Sequence, residues 1–196
     1  MNRGEIHVWR IRLDGAKTPP PTPGEAARAA RFRTADLQRR YLRSHGALRA
    51  ILGRYTDARL DFAVNPHGKP YLPAAPEVQF NLSHSGEMAL VGVALGVEIG
   101  VDVERIRPMP DWREIADRFF PPSEAAMVAD GRDFFHRWTR LEAAVKARGI
   151  GIYGLGTEID GEWTIEPVDA GPEYAGAAAA QVAGMRILTH DFRLEE

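Results

Sequence analysis

The sequence contains no cysteine. That excludes disulfides, zinc–thiolate centres and a thiol nucleophile, and it suits a cytoplasmic setting. It also lacks a long apolar run. The longest, Met88–Val97, falls far short of the roughly 20 residues that cross a bilayer, so no membrane role is expected. Met1–Arg10 mixes charged and apolar side chains and does not read as a signal peptide. There is no charge excess either. A formal net charge of −2 over 196 residues supplies no basic field for nucleic acid. No Gly-x-Ser-x-Gly elbow, no Gly-x-x-x-x-Gly-Lys-Ser/Thr phosphate loop and no internal repeat is visible. What remains is a composition of 44% hydrophobic and 27% charged residues, ordinary for a globular chain of one large or two small domains.

Hydrophobic periodicity divides the chain into short elements. Glu5–Leu13 alternates imperfectly and reads as a strand. Four prolines between Lys17 and Gly24 predict a loop. Glu25–Leu52 carries Leu37, Tyr41, Leu48 and Leu52 at helical spacing and reads as helix broken near Thr34, with Arg28, Arg31, Arg39, Arg40 and Arg43 on its other face. Leu60–Val64, Val78–Leu82, Met88–Leu95 and Glu98–Glu104 read as strands, with Asn65–Gly68 and Ser83–Gly86 as connecting turns. Helices are expected over Trp112–Phe119, Pro122–Ala129 and Arg132–Arg148, and then a turn-rich stretch marked by Gly149, Gly151, Gly154 and Gly156. Trp163–Val168 and Met185–Phe192 read as strands, while Ala175–Ala183 fits helix or buried strand.

Several residue groups could carry chemistry, and each also has an ordinary structural reading. Asp102 and Glu104, two apart on a strand, share one face. Paired carboxylates repel unless a cation joins them, and oxygen donors of this kind suit Mg²⁺ beside a phosphate; otherwise they are an exposed acidic strand end. Glu142 and Lys146 stand i, i+4 on a helix. They could be a surface ion pair, or a third carboxylate backed by a phosphate-binding ammonium. Ser83 and His84 are neighbours on an extended segment and point to opposite faces, which argues against a nucleophilic triad and fits two separate contacts to phosphate oxygens. His67-Gly68-Lys69-Pro70 is a turn that holds a lysine. The arginine-rich helical face is either solvated or meets an anion.

Their combination and order are more specific than any one of them. Phe80-Asn81-Leu82-Ser83-His84-Ser85-Gly86, Gly100-Val101-Asp102-Val103-Glu104, Arg118-Phe119-Phe120 with Glu124, and Trp138-Thr139-Arg140-Leu141-Glu142-Ala143-Ala144-Val145-Lys146 resemble the signature series of the Sfp-type 4′-phosphopantetheinyl transferases. Arg28-x-x-Arg31-Phe32 and Gly68-Lys69-Pro70 extend the resemblance upstream, so that it covers nearly the whole chain and thins out after Gly156.

The resemblance implies an α+β fold of two similar halves related by pseudo-twofold symmetry, residues 1–95 and 96–196, with coenzyme A (CoA) in the cleft between them. It implies that Asp102, Glu104 and Glu142 hold Mg²⁺, or Mn²⁺ in its place. Lys69 and Pro70 would border the adenine, Arg28, Arg31 and His84 the 3′-phosphate, and Ser83 and Lys146 the pyrophosphate. Glu142 would serve as the base and Lys146 would assist it. The activity implied is transfer of phosphopantetheine from CoA to a serine of an acyl, peptidyl or aryl carrier protein by a cytoplasmic monomer. A CoA-binding protein without transferase activity and a Mg²⁺-dependent phosphohydrolase are the alternatives. Two positions depart from the pattern. Leu141 stands where the family usually has a lysine, and could face either the site or the core. Glu25 stands where some members carry a basic residue.

Overall fold

The computed structural model describes residues 1–150 and 161–193. Strand β1 (Glu5–Arg12) leads to helices α1 (Pro23–Ala29) and α2 (Ala35–Leu52). A small hairpin, β2 (Ala63–Val64) with β3 (Pro70–Tyr71), precedes β4 (Val78–Ser85) and β5 (Met88–Leu95). The second half runs β6 (Ile99–Arg105), α3 (Trp112–Phe119), α4 (Pro122–Ala125), α5 (Gly131–Arg148), β7 (Thr164–Pro167) and β8 (Tyr174–Ala180). The last strand, β9 (Arg186–Asp191), joins the first sheet.

The sheets are ordered β4-β5-β1-β9 and β6-β8-β7. Each half therefore runs strand, helices, hairpin, and each places its last hairpin strand between the other two. β5 lies antiparallel to β1 and β4, as β8 does to β6 and β7. β9 is the exception, lying parallel to the far edge of β1.

Strand alternation stacks these elements in four layers. One face of the first sheet, with Trp9, Ile11, Phe80, Val91 and Val93, packs on Ala47, Leu48, Ile51 and Leu52 of α2. Its other face, with Ile6, Val8 and Leu90, packs on Ile99, Val101, Val103 and Ala178 of the second sheet. The outer face of that sheet receives α5 through Ala143 and Ala144 against Ala177 and Ala179. Small residues are required there: a Cβ on Gly100 would come within 2.0 Å of the Ala143 carbonyl oxygen, so the helix lies almost on the backbone of β6. This explains why Ala175–Ala183 had no readable period. Ala175 and Ala177–Ala180 are fully buried on both faces of a central strand.

Other differences from the sequence reading have equally local causes. Pro23 and Gly24 belong to α1 rather than to the loop, because Pro23 fills the first turn behind a Thr22–Glu25 capping box. The break near Thr34 is as expected, with the Thr34 hydroxyl capping α2 by accepting from Leu37 N–H. The strand expected over Leu60–Val64 shrinks to two residues, and α4 ends at Ala125 rather than Ala129. Ser83–Ser85 is strand rather than turn, and the reversal falls at Gly86, whose φ is 57°. Gly149 caps α5 in the left-handed conformation; Gly151, Gly154 and Gly156 lie outside the described residues.

Candidate active site

Strand β4 meets the edge of β6 through side chains rather than through a backbone ladder. The Asn81 side-chain oxygen accepts from Val101 N–H at 2.9 Å, Ser83 Oγ from Val103 N–H at 3.4 Å, and Ser85 Oγ from Arg105 N–H at 3.1 Å. The two-residue period of both strands keeps the rungs in step. The same serines donate onward, Ser83 to Asp102 Oδ1 at 2.8 Å and Ser85 to Glu104 Oε2 at 2.9 Å. One polar seam thus joins the halves and aims two carboxylates. Asn81 and Ser85 were not singled out as site residues. Polar side chains at every second position of a strand were the available signal.

Helix α5 brings the third carboxylate and the lysine. Lys146 Nζ donates to Asp102 Oδ1 at 2.5 Å and to Ser83 Oγ at 3.0 Å. Asp102 is only 4% exposed, and its Oδ2 is buried with no hydrogen-bond partner among the described residues. Burial pushes the Glu142 carboxyl above the usual carboxylate range; Asp102 and Glu104 add to this as like charges, while Lys146 opposes it. Among the described residues, no three carboxylate or imidazole groups are gathered tightly enough to hold a metal ion as they stand. The donor chemistry nonetheless fits a hard divalent cation. An orphaned buried carboxylate oxygen lies in a set of three mutually repelling carboxylates, whose nearby ammonium is paired to the other Asp102 oxygen.

Next to this cluster opens a cleft of about 990 Å³. Arg28, Pro70, Ser83, His84 and Lys146 line it, together with Tyr41, His45 and Arg49, which the sequence reading did not place there. His84 points away from the seam, as strand alternation requires, so it meets the cleft alone, while Ser83 touches both the carboxylates and the cleft. Desolvation, with help from Lys146 and Arg40, lowers the His84 pKa.

Arg31 is exposed and Lys69 is half-buried, and neither is among the lining residues. Lys69 Nζ pairs with Glu98 and donates to Ile99 O at 3.1 Å and Ala147 O at 3.0 Å, and burial lowers its pKa against the pull of Glu98. With Asn65 donating to Gly149 O at 3.0 Å, Lys69 ties the β2–β3 turn to the end of α5. Of the arginine face, Arg39 and Arg40 pair with Glu87, and Arg43 binds the carbonyls of Leu13 and Asp14. Glu25, besides capping α1, holds Arg49 in an ion pair whose side chains are 11% and 13% exposed.

Leu141 faces the core. It is 7% exposed and packs in one cluster with Phe134, Val145 and Ala175. A lysine at this position would have to displace that packing.

Residues 98–177, which hold β6, α5 and the three carboxylates, match the family model of the 4′-phosphopantetheinyl transferase superfamily. The 4′-phosphopantetheinyl transferase HetI of Nostoc sp. is 37% identical over 169 residues, covering 77% of this chain and 71% of the relative. A putative 4′-phosphopantetheinyl transferase of Synechocystis sp. is 36% identical over 66% of this chain and 57% of its own length. The 4′-phosphopantetheinyl transferase Sfp of Bacillus subtilis is 27% identical over 76% of this chain and 72% of its own length. The HetI match spans both halves of the seam at a level that shared descent explains, and the chain therefore belongs to the 4′-phosphopantetheinyl transferase superfamily and is a transferase of that class.

Proposed function

We propose that the protein transfers the 4′-phosphopantetheine arm of CoA to the serine hydroxyl of an apo acyl, peptidyl or aryl carrier protein and releases adenosine 3′,5′-bisphosphate. The observation that carries this reading is the junction at Lys146. This residue lines the cleft and touches Asp102, so an anion lying along the cleft arrives at the carboxylate cluster. Arg28 and His84 at the cleft wall suit the 3′-phosphate, Pro70 borders the adenine, and Ser83 and Lys146 face the pyrophosphate. Arg31 and Lys69 are proposed as outer contacts, which they would make by leaving the positions described above.

In the reaction the carrier serine Oγ forms a bond to the phosphorus next to pantetheine, and the bond from that phosphorus to the bridging oxygen breaks. The electron pair leaves with the bisphosphate nucleotide. The serine proton passes to Glu142, the carboxylate that α5 brings to the cluster. Asp102, Glu104 and Glu142 would hold Mg²⁺ or Mn²⁺, which supplies charge neutralisation at the pyrophosphate. Ser83 and Ser85 fix the first two of these carboxylates, and Lys146 orients the phosphate oxygens.

Because both halves of the site come from one chain, a monomer suffices. The shared strand order of the halves supports a pseudo-twofold relation between residues 1–95 and 96–196. No helix among the described residues is long and apolar enough to cross a membrane, and we place the reaction in the cytoplasm. Mass spectrometry of several apo-carriers incubated with the protein, CoA and Mg²⁺ tests this reading. A gain of one phosphopantetheine on serine is expected, and unmodified carriers throughout would overturn it.

A further inference from the structure

Three of the four cations that line the cleft, Arg49, Arg59 and Lys146, are already paired. Arg49 pairs with Glu25 and donates to Pro20 O at 2.6 Å, Arg59 pairs with Asp61 at 2.8 Å, and Lys146 holds Asp102. Arg28 lies over the Tyr41 ring, 5.9 Å from its centroid. A ligand carrying several negative charges thus finds little free positive charge in this wall.

Two imidazoles line the same cleft from opposite elements, His45 on α2 and His84 on β4. Among the described residues neither ring makes a hydrogen bond, and the Tyr41 ring packs on His45 with centroids 4.2 Å apart. The charged and titratable groups felt by His45 are Glu25 and Arg28 of α1, Arg49 of its own helix, and His84. Burial, opposed by Glu25 and reinforced by His84, Arg28 and Arg49, holds the His45 pKa at about 4. His84 is also lowered, by desolvation and then by Lys146 and Arg40. Both rings are therefore neutral near pH 7 in the free protein and can accept a proton when a dianion in the cleft offsets the cost of burying the charge and the repulsion of the nearby cations.

We propose that His45 is a further phosphate-binding residue of this cleft, and that the site takes up protons on His45 and His84 when the 3′-phosphate of CoA enters. The departure at Glu25 then has a partner. Where a fixed cation is replaced by a carboxylate that ties up Arg49, a protonatable ring supplies the charge, and only when ligand is present. This inference rests on the reading of CoA as substrate.

The test is calorimetric titration of the intact protein with CoA and with dephospho-CoA, in buffers of different ionisation enthalpy, between about pH 6 and 8. Wild-type protein should take up protons on binding CoA and fewer on binding dephospho-CoA. The His45→Gln variant should take up fewer protons with CoA. It should bind CoA about tenfold more weakly at the acid end and less than about threefold more weakly at the alkaline end, with dephospho-CoA affinity nearly unchanged. His84→Gln serves as the parallel case. Equal losses for both ligands, or an unchanged proton count in a folded His45→Gln protein, would overturn the inference while the functional reading stands. Wild-type binding of CoA without proton uptake overturns it without any variant. Wild-type protein that binds no CoA at all would remove the functional reading and this inference together.

Discussion

The two halves share a strand order and differ in almost everything that fills it. The central strand of the first sheet is Met88–Leu95, with branched residues buried on both faces; that of the second is a run of alanines. Helix α2 stands off its sheet on Leu48, Ile51 and Leu52, whereas α5 lies against Gly100, Ala177 and Ala179. Standoff in the first half leaves room for a cleft walled by α1, α2 and β4. Close approach in the second half presses Glu142 and Lys146 towards Asp102. One connectivity thus yields a half that carries a cleft and a half that carries the carboxylates, and side-chain size makes the difference.

Four experiments would break or sharpen that contrast. The largest effect is expected from Gly100→Ala, whose methyl would meet backbone atoms of α5, with Ala147 N at 2.4 Å as well as Ala143 O. Destabilisation above about 3 kcal/mol is expected, with loss of activity as α5 retreats. In Gly92→Ala the nearest atoms to the added methyl belong to side chains, Val101 Cγ1 at 2.6 Å and Ile99 Cδ1 at 2.7 Å, rather than to backbone, so denaturant melts should show a clearly smaller loss. A similar loss at both sites would mean that the close approach of α5 is not specially constrained.

Next come the carboxylates. Asp102→Ala, Glu104→Ala and Glu142→Ala should each lower turnover by about 10²-fold or more, near 2.7 kcal/mol, while the melting transition remains cooperative. A folded Glu142→Ala protein with normal rates would remove that residue from the chemistry. Asn81→Ala should cost about 1–3 kcal/mol of stability, because it leaves the buried Val101 N–H without an acceptor. Ser85→Ala should instead show mainly as a higher Mg²⁺ concentration needed for half-maximal activity, since Glu104 loses its positioning donor. If the two variants cannot be told apart, the seam has no division of labour. The smallest effect is at Leu141→Lys. A loss of about 1–2 kcal/mol in chemical melts without any gain in CoA kinetics is expected, because the ammonium must leave the cluster around Phe134.

Much of this architecture was legible in the sequence. Apolar periodicity and apolar runs located β1, α2, β5, β6, α3 and α5 to within a residue or two, α2 and α5 because each buries a helical stripe and β5 because it is an apolar run buried on both faces. The motif order pointed to Asp102, Glu104, Glu142 and Lys146, and the chain belongs to the family that this order suggested. Three things were less legible. Ser83–Ser85 read as a turn because serine and histidine carry no strand signal, although the hydroxyls are there to replace a backbone ladder. Lys69 read only as a lysine held in a turn, because sequence does not show Glu98 and the end of α5 closing around it. His45 sits beside hydrophobic helix positions and gave no sign that its ring turns into the cleft.

The return of β9 to the edge of β1 has a consequence for how the protein is made. Arg10 and Asp191, paired across those two strands, are 181 residues apart in the chain. On a translating ribosome β1 must wait for almost all of the second half before its outer neighbour exists, an interval on the order of ten to thirty seconds at ordinary elongation rates. During that interval its amides and carbonyls form an uncovered edge open to strands of other nascent chains. The first half is synthesised first and completed last, so the yield of correctly folded protein in the cell depends on how that edge is shielded until Arg186–Asp191 arrives.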